Sequence, residues 1–96
     1  MTTPVIFRKP IPDGDTIAIF PTLPGTLDPM TCTCYEHVGQ HSSLQKLWYD
    51  SFTRPCKPDD YKDLLDELVS IGYDDLKVYQ KWLYWMDKER WNNLHD

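Results

Sequence analysis

Basic residues are scarce in this chain: ten lysines and arginines face fifteen aspartates and glutamates, for a formal net charge of −5. A surface of that sign repels phosphate backbones, so duplex nucleic acid is not an expected partner. Long apolar runs are missing too. Nothing approaches the ~18 apolar residues of a membrane span, which argues against a membrane partner. Met1-Thr-Thr-Pro4 lacks the basic and apolar regions of a secretion signal, so a cytoplasmic protein is the expectation. With three cysteines, the chain has neither the number nor the parity of a disulfide framework, which fits a reducing compartment. What it does have is 41% apolar and 14% aromatic residues over 96 positions, enough for one modest core.

Strand formers come first. Val5-Ile-Phe-Arg-Lys9 and Thr16-Ile-Ala-Ile-Phe20 flank Pro12-Asp-Gly-Asp15, and Asp13-Gly14 suits a tight turn, so the spacing predicts a β-hairpin. Pro21, Pro24, Gly25 and Pro29 then predict a loop over 21–29. A third strand is expected from Met30 to Val38, ended by Gly39. Ser42-x-x-Gln45 has the form of a capping box, with Leu44, Leu47, Trp48 and Phe52 at helical spacing, which predicts a helix over 43–52. Pro58 at a first helical turn and Gly72 at a C-terminal cap frame a second helix over 58–71. Its Tyr61, Leu64, Leu65, Leu68 and Ile71 gather on one side. Asp59, Asp60, Asp63, Asp66 and Glu67 gather on the other, as the solvated side of an amphipathic helix or a dock for a basic partner. Leu76-Lys-Val-Tyr79 reads as a fourth strand. From Gln80 onward the absence of Gly and Pro, with abundant aromatics, favours a terminal helix.

The chemistry-bearing residues cluster in one place. Cys32-Thr-Cys-Tyr-Glu-His-Val-Gly-Gln-His41 holds two of the three cysteines and two of the three histidines in a C-x-C-x2-H-x3-H pattern. Cys32, Cys34, His37 and His41 are therefore the candidate zinc ligands. Strand alternation works against that set, because Cys32 and Cys34 share one face while His37 points to the other, and a tetrahedral ion needs ligands converging within about 2.0–2.3 Å. Small buried thiols are the reading that alternation favours. His37, Gln40 and His41 around the flexible Gly39 form a second candidate, a site for a small polar ligand or a metal completed by a carboxylate. The competing reading makes Gly39 a turn residue and gives the imidazoles backbone carbonyls as partners. Ser42 and Ser43 adjoin His41, but no glycine-flanked nucleophile turn is present. Trp82, Trp85 and Trp91 cannot share one narrow stripe, so they are candidate interface residues, for a partner protein or for self-association into a homo-oligomer.

Several blocks together carry a resemblance. Val5-Ile-Phe-Arg-Lys9, Asp13-Gly-Asp15, Ile17-Ala18, Phe20-Pro21, Cys32, Tyr35 and His37-Val-Gly-Gln-His41 are followed by Tyr61, Leu64-Leu65, Glu67-Leu68, Ile71-Gly-Tyr73, Leu76 and Val78. Over residues about 5–79 this resembles a family of small proteins of bacteria and their phages that has no established activity. The family pattern has Ser at the position of Cys34 and ends near Val78, so neither a site built on Cys34 nor the tryptophan-rich extension belongs to it.

The expected architecture is α+β: an antiparallel sheet of three or four strands, with the helices over 43–52 and 58–71 on one face. Residues 1–79 form the domain, and 80–96 a helical extension packed on it or on another subunit. The expected function is that of a non-enzymatic interaction or accessory protein, phage- or mobile-element-related, that binds another protein without a cofactor. A metal- or small-ligand-binding domain centred on the His37–His41 turn, with zinc as the metal, is the alternative.

Overall fold

Val5-Ile-Phe7 and Ile17-Ala-Ile-Phe20 are unbroken apolar runs, and an unbroken run in a strand must bury both of its faces. The computed structural model, which describes residues 2–36 and 39–95, shows that outcome. Strands β1 (Thr3–Pro10) and β2 (Ile17–Pro24) pair antiparallel at the centre of one sheet, with Ile6 opposite Ile19 and Arg8 opposite Ile17. Val5, Phe7, Ala18 and Phe20 face one layer, and Ile6, Ile17 and Ile19 face the other.

The remaining elements follow from that two-faced centre. β3 (Thr31–Glu36) pairs antiparallel with β2, and β4 (Gln40–Gln45) pairs antiparallel with β3 in unbroken register. Helix α1 (Lys46–Phe52) then crosses beneath the sheet to β5 (Thr53–Pro55), which pairs with the C-terminal half of β1. Helix α2 (Pro58–Ser70) precedes β6 (Leu76–Tyr79), which runs parallel to the N-terminal half of β1, and α3 (Tyr84–His95) completes the fold. The strand order is β4-β3-β2-β1, with β5 and β6 sharing the far side of β1.

Four sequence expectations change here. The sheet has six strands rather than three or four, and β6 is parallel to β1. The helices do not share a face: α2 covers the Val5/Phe7 side, whereas α1 and α3 cover the Ile6/Ile19 side, giving a helix–sheet–helix sandwich. Residues 40–45 form a strand, because pairing with β3 across the Gly39 turn (φ 84°) outweighs the capping-box pattern at Ser42. The expected loop over 21–29 is strand as far as Pro24, with a register shift between Phe20 and Pro24 where the prolines cannot donate.

Helix α2 holds where its caps predicted. The Asp60 carboxylate accepts the Lys57 backbone N–H at 3.0 Å, and Gly72 (φ 122°) turns the chain at the other end. Leu64 and Leu68 are buried, but Ile71 is exposed. Asp60 and Glu67 turn toward the sheet, Asp60 to Lys9 and Glu67 to Tyr35, leaving Asp59, Asp63 and Asp66 on the outer face.

Helix α3 starts at Tyr84 instead of Gln80, so Trp82 and Leu83 precede it. Its buried residues are Met86 and Arg90, four apart, and the exposed Asn93, three further on, reaches back to the sheet. Arg90 is only 3% exposed. Its guanidinium donates to the Pro21 carbonyl at 2.8 Å and to the Pro29 carbonyl at 3.1 and 3.3 Å, and it pairs with Asp87 at 2.9 Å. Burial alone would push the Asp87 pKa up, but hydrogen bonds from Lys46 and Arg90 outweigh it and hold the carboxyl below its ordinary value. Asn93 donates to the Thr22 carbonyl at 2.8 Å. These side chains serve the carbonyls of Pro21 and Thr22, in the stretch of β2 where the register with β3 shifts, and that of Pro29 in the connection that follows. Arg90→Met should therefore cost about 3 kcal/mol in urea unfolding, since it strands buried carbonyls and one member of an ion pair. Trp91→Ala, at a half-exposed position, should cost less than about 1 kcal/mol in the same measurement. Equal losses for the two variants would remove Arg90 from this central role.

Candidate functional site

The cysteine- and histidine-rich segment folds as the β3–β4 hairpin, and strand alternation sends its side chains to opposite layers. Cys32 and Cys34 face the α1/α3 side. Cys32 is buried among Ile6, Ile19, Tyr49 and Met86, and burial pushes its thiol up to about 12. Cys34, directly across from Ser42, lies 3.0 Å from the Ser42 hydroxyl. Burial raises its pKa as well, opposed by that hydroxyl.

His41 is on the other face. It sits opposite Tyr35, and its Nε2 lies 2.8 Å from the Tyr73 hydroxyl. Tyr35 meets the imidazole edge-on at 4.9 Å and donates its own hydroxyl to Glu67 at 2.5 Å. That bond, with a smaller contribution from burial, raises the Tyr35 pKa. Tyr73 stacks on Phe20 at 5.0 Å. The histidine thus joins the hairpin to the α2–β6 turn through two phenols.

The structure does not bring Cys32 and Cys34 together with His41, because the sheet stands between them. His37, the remaining member of both candidate sets, lies outside the described residues. Gln40 is exposed at the start of β4, opposite Glu36. Among the described residues, no group of three or more His, Cys, Asp or Glu is placed to hold a metal ion. Ser42 and His41, adjacent in sequence, point to opposite layers and form no nucleophile–base pair.

Two features emerge that the sequence reading missed. The first is an open groove of about 480 Å³ on the α1 side of the hairpin, lined by Ile17, Cys34, Glu36, Ser42, Leu44 and Trp48 among others. Its floor is strand and its wall is α1. The second is the outer edge of β4, which ends the strand order. Lys46 donates its backbone N–H to the Met30 carbonyl at 3.3 Å, so Thr31 and Gln45 form a wide pair without mutual hydrogen bonds. By alternation Gln40, Ser42 and Leu44 bond inward to β3, and His41, Ser43 and Gln45 turn their backbone N–H and C=O groups outward. The alternation of Gln40, Ser42 and Leu44 was the available signal, hidden by the helical spacing of Leu44, Leu47 and Trp48.

The tryptophans divide. Trp82 packs edge-on against Tyr49 at 5.2 Å and donates its Nε1–H to Asp87 at 3.1 Å, and Trp85 meets Tyr79 edge-on at 5.9 Å. Both belong to the layer between the sheet and α3. Trp91, 4.0 Å from the His95 ring, is the one of the three that is half exposed.

No protein-family model, curated protein or solved structure matches this chain.

The buried thiols have a measurable consequence. A disulfide reagent such as DTNB at pH 8 should label Cys32 only through unfolding, so its rate should rise with urea in step with the unfolded population. The sign of the pH effect follows from the raised pKa. The unfolded chain gives up this proton near the ordinary thiol value of 9.0, while the folded chain keeps it to about 12. The thiol's contribution to stability is therefore whole below pH 9 and declines between about 9 and 12. Cys32→Ala should flatten that decline in a urea titration run at successive pH values.

Proposed function

We propose that this chain is a non-enzymatic interaction module that recognises another polypeptide by adding it as a strand along β4. The observation that carries this reading is the joint placement of the outward-turned backbone of His41, Ser43 and Gln45 and the open groove beside it. A segment laid along that edge gains main-chain hydrogen bonds, and every second side chain falls on the groove side, where Leu44, Trp48 and Ile17 offer apolar contact. A segment that runs extended and sets at least one apolar side chain on the groove side, with polar ones over the α2 side, fits that edge.

The competing reading places a metal or small ligand at the His37–His41 turn. It draws on Cys32, Cys34 and His41, which leave opposite faces of the hairpin. The outer acids of α2 offer a third surface. Asp59 and Asp66 are solvated, and Asp63 borders an open hollow of about 390 Å³ lined also by Lys9, Asp13, Asp15 and Asp60, so this surface supports long-range attraction of a basic partner but has no free strand edge beside it.

Selection of binders from a random-peptide phage library tests the strand-addition reading. Selected peptides should be extended and alternating, and should shift the amide resonances of residues 40–46. Ser43→Pro removes an N–H that points away from β3, so the fold should keep its thermal midpoint while peptide affinity falls at least about tenfold. Peptides that bind this variant as well as the parent, or that map to another surface, would sink the proposal; so would the failure to select any.

A further inference from the structure

The two sides of the sheet are finished differently. The far side of β1 is shared by β5, three residues long with Arg54 and Pro55, and by β6, four residues long with Lys77. Shortness, proline and an edge cation are the devices that discourage a further strand from pairing. β4 has none of them. Gln40-His-Ser-Ser-Leu-Gln45 contains no lysine, arginine, acid or proline, and it pairs with β3 over its whole length without a bulge. α1 begins at its end and leads to β5 on the far side of β1, and Gln40 to Ser43 and Gln45 are exposed.

We infer that the partner seated on this edge is a second copy of the same strand, related by a two-fold axis through Ser43. This rests on the strand-addition reading and names its occupant. Antiparallel pairing about that axis sets Ser43 against its own equivalent, His41 against Gln45, and Ser42 against Leu44. His41, Ser43 and Gln45 are the residues whose backbone groups point outward, so each meets another outward-turned residue and exchanges a pair of hydrogen bonds. A two-fold axis normal to the sheet also keeps the layers in step: Leu44 of one copy falls beside Ser42 at the rim of the other copy's groove, and the two grooves become one. Charge permits the arrangement. Each chain carries −5, but the paired residues between His41 and Gln45 bring no like charges into opposition. Centring the axis on Ser42 instead would set Gln45 against the Gly39 turn, losing one of the hydrogen-bonded pairs. The joined product is a continuous twelve-stranded sheet, six strands from each copy, with an isologous contact that closes after two chains.

Sedimentation equilibrium across micromolar to near-millimolar concentration should show the mass rising from 11.4 kDa toward twice that value. Ser43→Asp and Ser43→Lys should each remain monomeric, because the axis sets identical charges face to face, and an equal mixture of the two should restore the dimer. In the unaltered protein, amide exchange at His41, Ser43 and Gln45 should slow as concentration rises, a readout that does not depend on either variant folding. A mass that stays at the monomer value overturns the second-copy assignment, as does association of both charged variants like the parent, or amide exchange at these positions that ignores concentration. Should the protein stay monomeric while selected peptides still depend on Ser43, strand addition survives and only its occupant is wrong. Should it associate through another surface, with peptides indifferent to Ser43→Pro, both fall.

Discussion

A buried guanidinium closes the centre of this molecule. β2 pairs with β1 on one side and β3 on the other, yet it carries Pro21 and Pro24, neither of which donates to a ladder. The carbonyls of Pro21 and Pro29 lie where helix α3 covers the sheet, and Arg90 serves both from a position almost wholly removed from water. Asp87 balances its charge, and in turn holds Lys46 at the start of α1 and the indole of Trp82. One network therefore links the central strand, both helices of one layer and the connection into α3. It also explains why a segment that reads as an appendage packs as part of the sandwich.

The legible parts of the fold were the ones decided locally. The β1–β2 hairpin, the caps of α2 at Pro58 and Gly72, and the short strand at Leu76–Tyr79 are all read from residues within a few positions of one another, although the hairpin turns at residues 11–13, where Gly14 donates its N–H to the Pro10 carbonyl, and not tightly at Asp13-Gly14. The errors came where tertiary pairing chose between local options. Ser42-x-x-Gln45 is a fair helix start, and only the presence of β3 alongside makes it a strand. Trp82, Trp85 and Trp91 fit no single stripe because Trp82 precedes the helix, which begins at Tyr84, and because the middle of the buried stripe is an arginine. A two-sided sheet was announced by the unbroken apolar runs of β1 and β2, which are too continuous for strands with one wet face.

The candidate site failed to assemble for a reason that is geometric. A sheet is one chain thick, so residues that alternate along a strand are neighbours in sequence and strangers in space. Cys34 belongs with Ser42 and Trp48, His41 with Tyr35 and Tyr73, and each group answers to a different helix layer. What the hairpin offers as a unit is its backbone, through the outer edge that its alternating side chains flank.

The position of β1 bears on how the chain comes to be made. The strand that begins at residue 3 receives β6 from residues 76–79, and the carbonyl of Pro21 waits for an arginine 69 residues later. At ribosomal rates of about 5–20 residues per second, that interval is roughly 3–14 s during which the apolar runs of β1 and β2 emerge without their covering layer. Until then the nascent hairpin must be sheltered, by the ribosome's surroundings or by a chaperone, and a translational pause before residue 90 lengthens its exposure.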